Sequence, residues 1–142
     1  MYPMKSAAQA AQLYGAAAGA SPLDELIQVH DGMIRKLAEA RRAIAEGRIE
    51  DRLTVTHKVA AVIDVLQMSL DHGQGGEIAA SLDRLYLYFS RRLSDINIKN
   101  DPAICDELMA RFAELRDGWR AVAASGAPTA AAVPPTGASL SA

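Results

Sequence analysis

Apolar side chains recur every three or four residues along most of the chain, the period of an α-helix, and they fall into four blocks. The first opens at Ser21, a good N-cap, followed by Pro22, whose missing N–H costs nothing at the first helical position. Asp24 and Glu25 then set negative charge at the positive helix start. Leu23, Leu26, Ile27, His30, Met33, Ile34, Leu37 and Ile44 continue the stripe until Gly47 ends it. The second block spans about 50–72. Its main stripe is Leu53, Val55, Val59, Val62, Ile63, Leu66 and Leu70, with Val65 and Met68 lying off it, so this helix is apolar around much of its circumference. Gly73 ends it, and Gly75 and Gly76 complete a turn.

The third block runs from about 77 to 98 on Ile78, Leu82, Leu85, Phe89, Leu93 and Ile96, with Tyr86, Leu87 and Tyr88 adding apolar surface. The fourth starts with Asp101 as cap and Pro102 behind it, and carries Ile104, Leu108, Phe112, Leu115, Trp119 and Val122; Gly126 and Pro128 lie beyond its end. A helix of about 22 residues is roughly 33 Å long. Connections of a few residues between such helices force antiparallel neighbours. The pattern therefore predicts an all-α, antiparallel, up-down four-helix bundle over residues 21–123. Residues 1–20 are alanine-rich and form either a short helix over about 4–14 or a mobile segment. Residues 124–142 carry no charged side chain and read as a disordered Ala/Pro-rich tail.

Composition narrows the function. Half of the 142 residues are hydrophobic, enough for a core without disulfides or metal. Lysine plus arginine total 15 against 17 acids, a balance that does not fit an electrostatic nucleic-acid binder. The single cysteine, Cys105, cannot form an internal disulfide, which fits a reducing cytosol. It reads as a small buried helix residue. The most apolar stretch, 59–70, is broken by Asp64 and Gln67 and cannot span a bilayer. Gln9 and Gln12 break the apolar segment that a secretory signal would need before the small residues at 15–20. The reading is a cytoplasmic protein without membrane insertion.

Catalytic and cofactor patterns are not found. His30, His57 and His72 stand apart, none with a glutamate three residues before it, and there is no His-Glu-x-x-His, Cys-x-x-Cys or glycine-rich phosphate loop. The sequence points to a binding protein with no enzyme activity and no cofactor. Its surplus apolar surface fits a dimer interface, an ordinary thick core, or a groove for another protein's amphipathic helices. Tyr86 and Tyr88 are two positions apart and cannot share a helix face, so Tyr86 is assigned to the core and Tyr88 to the surface. Trp119 is read as core. Arg91 and Arg92 read as a solvated face, and Gly32, inside a helix, as a site of close helix packing or of close approach by a partner.

The order of motifs resembles the flagellar secretion chaperone family, FliS. Met1-Tyr2 opens the chain and Tyr14 follows; then come Ala20-Ser21-Pro22, Leu26-Ile27 and Asp31-Gly32. Ser69-Leu70-Asp71 precedes Gly75-Gly76-Glu77-Ile78-Ala79, and Leu82, Leu85-Tyr86, Tyr88 and Arg91-Arg92-Leu93 lie in the third helix. Asn97, Asn100-Asp101, Leu115-Arg116 and Trp119 complete a likeness over roughly 1–122. His30 stands where the family usually has Tyr or Phe, Leu13 where a small alanine is usual, and the tail has no obvious family counterpart.

The resemblance implies a cytoplasmic, non-enzymatic export chaperone. Such a protein binds the C-terminal segment of flagellin, prevents premature polymerisation and helps deliver flagellin to the cytoplasmic domain of the export gate protein FlhA. Ile63, Val65, Leu66, Met68, Leu82, Leu85, Tyr86 and Tyr88 are the expected flagellin-binding groove. Tyr14 is the expected N-terminal cap and gate-docking residue. A homodimer of the free protein stays open, and a self-associating helical adaptor unrelated to flagellin is the alternative.

Overall fold

A computed structural model describes residues 22–125. These form four helices: α1 (Pro22–Ala45), α2 (Ile49–Met68), α3 (His72–Lys99) and α4 (Pro102–Ser125). No strand occurs among the described residues. Each helix packs on the next, and α4 closes back on α1. Side-chain pairs give the directions. On α1 and α4, Asp31 meets Arg116 while Arg41 meets Asp106, so one number rises as the other falls. On α2 and α3, Arg52 meets Asn97 while Gln67 meets Asp83. Both pairs are antiparallel, as expected. α4 runs to Ser125, two residues into the tail expected over 124–142; the segment 1–20, the cap Ser21 and residues 126–142 lie outside the described residues.

Local chemistry sets most of the boundaries. Gly47 ends α1 at φ 70°, a left-handed backbone that glycine adopts without Cβ strain. The Arg48 N–H then donates back to the Ala43 carbonyl at 2.8 Å. Asn100 closes α3 in the left-handed region at φ 53°, and Asp101 Oδ1 accepts the Ala103 N–H at 2.9 Å to start α4. The connection between α2 and α3 differs from expectation. α2 stops at Met68, short of residue 72, because Asp71 accepts the Gln74 N–H at 2.9 Å and nucleates a new turn. That turn runs into a kink at Gly76, at φ 51° and ψ −124°, and regular helix continues beyond it.

The four apolar stripes converge on an aromatic centre. Phe89 of α3 meets Phe112 of α4 edge-on at 4.7 Å between ring centroids, and Tyr86 lies 6.3 Å from Phe89. His30 of α1 completes the cluster, perpendicular to Phe112 at 6.4 Å. Edge-to-face contacts of this kind add about 0.5–1.5 kcal/mol to the value of burial alone. The His30 Nδ1–H donates to the Leu26 carbonyl at 2.8 Å, while Nε2 has no hydrogen-bond partner. Full burial pushes its pKa down to about 4, so at neutral pH the imidazole is an uncharged aromatic ring in the core. Trp119 and Cys105 are buried, as read from the sequence.

Candidate functional site

The outer surface divides sharply by helix. Every exposed large hydrophobic side chain among the described residues lies on α2 or α3: Ile49, Met68, Leu87, Tyr88 and Ile98. Met68 and Ile98 are the most open, at 75% and 76% exposure. Between α2 and α3 lies a shallow groove of about 70 Å³ lined by Thr56, His57, Ala60, Ser90, Leu93, Ser94 and Asn97. Thr56 and Ala60 are one helical turn apart, as are Ser90 and Ser94, so each pair lies along one face. Their small side chains lower the floor of the groove and let another backbone approach.

The groove is bounded by polar contacts at both ends. Gln67 Nε2 donates to Asp83 Oδ1 at 2.9 Å near Met68. At the opposite end Arg52 Nε donates to Asn97 Oδ1 at 3.0 Å, and Asn97 Nδ2 donates to Thr56 Oγ1 at 2.9 Å. From residue 56 to 68 an α-helix rises about 18 Å.

The residues expected to form the groove separate into three groups. Ile63, Leu66, Leu82 and Tyr86 are buried in the core. Val65 and Leu85 are half-buried. Met68 and Tyr88 are exposed. Tyr88 leans toward α4, where its hydroxyl donates to Glu107 Oε2. Glu107 also accepts Arg92 Nη2 at 2.8 Å, and Arg92 Nη1 reaches Asp95 at 2.8 Å. The Tyr88 hydrogen bond and then Arg92 hold the Glu107 carboxyl below its ordinary pKa; the same hydrogen bond raises the Tyr88 phenol. Arg92 is thus half-buried in an ion-pair network rather than freely solvated. Tyr14 lies outside the described residues. The groove floor was not singled out from the sequence; its only signal is small residues one turn apart on both helices.

Other groups offer little chemistry. Burial pushes the Cys105 thiol up to about 11, which keeps it protonated and a poor nucleophile. Among the described residues no cluster of His, Cys, Asp or Glu could hold a metal ion, and no helix is long and apolar enough to cross a membrane. A Cβ built on Gly32 would meet only the flexible end of Arg35, at 3.7 Å. Close helix packing therefore does not require glycine at this position.

Comparison with known proteins converges on one family. The family profile described as "Flagellar protein FliS" matches residues 4–126. The flagellar secretion chaperone FliSB of Pseudomonas aeruginosa is 34% identical over 121 residues, covering 84% of this chain and 96% of the relative. The flagellar secretion chaperone FliS of Salmonella typhimurium is 31% identical over 104 residues, covering 72% and 77% of the two chains. That of Bacillus subtilis is 28% identical over 101 residues, covering 71% and 74%. Profile, relatives and the four-helix architecture agree: the chain belongs to the FliS family.

Proposed function

We propose that this protein is a cytoplasmic export chaperone that binds the C-terminal segment of flagellin on its α2/α3 face, without catalytic chemistry or cofactor. One observation carries the reading: among the described residues the exposed large hydrophobics lie only on two adjacent helices, with a depression floored by small residues between them. An amphipathic segment that is disordered when free can fold there and bury its apolar side, losing its conformational entropy only on binding. Holding the segment in this way keeps it from entering a filament prematurely. Of the contacts expected from the sequence, the exposed Met68 is the one assigned to this face; Val65 and Leu85 are half-buried and Tyr88 leans toward α4. Ile63, Leu66, Leu82 and Tyr86 support the groove from within.

Delivery to the cytoplasmic domain of FlhA is assigned to the N-terminal segment, with Tyr14 as the anchor. A tyrosine combines a large apolar ring with a polar tip, which suits a reversible contact. Titrating the flagellin-loaded Tyr14→Ala protein with that domain should show weaker binding at unchanged melting temperature. Unchanged affinity would remove Tyr14 from the site.

The primary test is size-exclusion chromatography and calorimetry with purified flagellin, intact and lacking its C-terminal segment. Intact flagellin should co-elute with the protein, and the truncated form should bind at least tenfold more weakly, a difference of about 1.4 kcal/mol. Equal affinity for both forms would overturn the reading. Self-association through the same face, with flagellin ignored, would support an adaptor role instead.

A further inference from the structure

Arg52 is the only buried lysine or arginine among the described residues. Its guanidinium is held by neutral groups: Nε donates to Asn97 Oδ1 at 3.0 Å and Nη1 to Asn100 Oδ1. No carboxylate lies within ion-pair distance of it among the described residues. The half-buried arginines are treated differently. Arg92 faces Asp95 and Glu107, and Arg116 faces Asp31 and Asp117.

A cation taken out of water without an anion is costly. Asn100 caps the C-terminal end of α3, where the helix dipole offers only about half a negative charge. Two asparagine oxygens and a partial dipole orient the guanidinium without neutralising it. Five N–H donors are available on an arginine, and the two asparagines engage only Nε and Nη1. The remaining donors can receive the paired oxygens of a carboxylate, the geometry that guanidinium groups match best.

The position of this cation is specific. Its partner Asn97, and Thr56, to which Asn97 is bonded, both line the α2/α3 groove. Arg52 therefore sits at one end of that groove, far from the Gln67–Asp83 pair at the other. A cation at the end of a groove suits an acidic chain end, the α-carboxylate. We propose that Arg52, braced by Asn97 and Asn100, captures the terminal α-carboxylate of the segment docked between α2 and α3, which rests on the reading that this segment is a C-terminal one. The residue thus defines the polarity of the bound chain: its last residue lies at the Asn97 end, and the preceding turns run toward Met68 and Leu87.

Two synthetic peptides of the flagellin C-terminal segment, one a free acid and one a C-terminal amide, test this on the full-length protein. The free acid should bind about tenfold or more tightly, the worth of a charge-assisted hydrogen bond. Arg52→Gln should bring the two peptides to equal affinity, and Arg52→Lys should retain part of the preference. Equal binding of both peptides to the wild-type protein overturns the proposal even if the variants fail to fold. So does an Arg52→Gln protein that still prefers the acid. Equal binding of both peptides leaves the flagellin reading standing; binding of neither peptide nor intact flagellin removes that reading and the proposal together.

Discussion

The α1/α4 face and the α2/α3 face are built from helices of similar length, yet they treat solvent in opposite ways. Across α1 and α4, Arg41 meets Asp106 at 2.8 Å, while Arg116 and Arg120 converge on Asp31 at 3.0 and 3.6 Å. No large hydrophobic side chain is exposed on either helix among the described residues. Across α2 and α3 the polar contacts retreat to the groove ends, and apolar side chains stand open between and beyond them. Exposed ion pairs contribute only about 0–1 kcal/mol each, so charge on the α1/α4 face is a weak source of stability. Its stronger effect is to make that surface a poor bed for an amphipathic helix. The difference is between one side closed by ion pairs and one side with apolar side chains open to solvent, the side proposed above to dock flagellin.

The largest expected effect lies in the core that both faces share. Phe112→Ala removes a fully buried ring that touches Phe89 and His30, and it should cost about 3–5 kcal/mol in denaturant unfolding. A loss below about 1 kcal/mol would mean that the aromatic centre does not hold the halves together.

Next comes acid sensitivity, which belongs to the same buried core. The folded state binds a proton on His30 only near pH 4, whereas an unfolded histidine binds one near 6.5. Between these values the unfolded state holds more protons, so stability falls as pH falls; it is fully present above about 6.5. The expected loss by pH 4 is about 3 kcal/mol, at roughly 1.4 kcal/mol per pH unit. His30→Phe should flatten this part of the pH–stability curve, with urea midpoints at pH 7 and 4.5 as the measurement. An unchanged slope would place the acid sensitivity elsewhere.

A smaller effect separates the faces by function. Met68→Asp and Leu87→Asp should weaken flagellin binding tenfold or more while shifting unfolding by less than about 0.5 kcal/mol, as for other exposed sites. Val65→Asp, at a half-buried position, should show the same order of effects with a larger stability cost. Collapse of the fold in Met68→Asp would mean that the open side is core. Smallest of all, Arg41→Ala on the closed face should change stability by no more than about 1 kcal/mol and leave flagellin affinity unchanged.

The helices were legible because their punctuation is chemical: Gly47, and Asp101 before Pro102, act as caps in the structure as they read in the sequence. The split between Tyr86 and Tyr88 followed from helical geometry alone. The end of α2 was not legible, because Asp71 starts a new turn where continuing periodicity pointed onward to residue 72. Nor could periodicity separate a groove from a core. Ile63, Leu66, Leu82 and Tyr86 are as apolar as any groove residue, and only packing against the other helices puts them inside. The groove between α2 and α3 is floored by Thr56, Ala60, Ser90 and Ser94, whose small side chains leave no apolar stripe. Arg52 was equally silent, since a buried arginine and a solvated one look alike until their neighbours are known.

Hydrogen–deuterium exchange of the free and flagellin-bound protein tests the central contrast most directly. Exchange should slow on binding in 56–68 and 87–98, with little change in 31–42 and 106–120. Protection concentrated on α1 and α4, or spread evenly over all four helices, would contradict it.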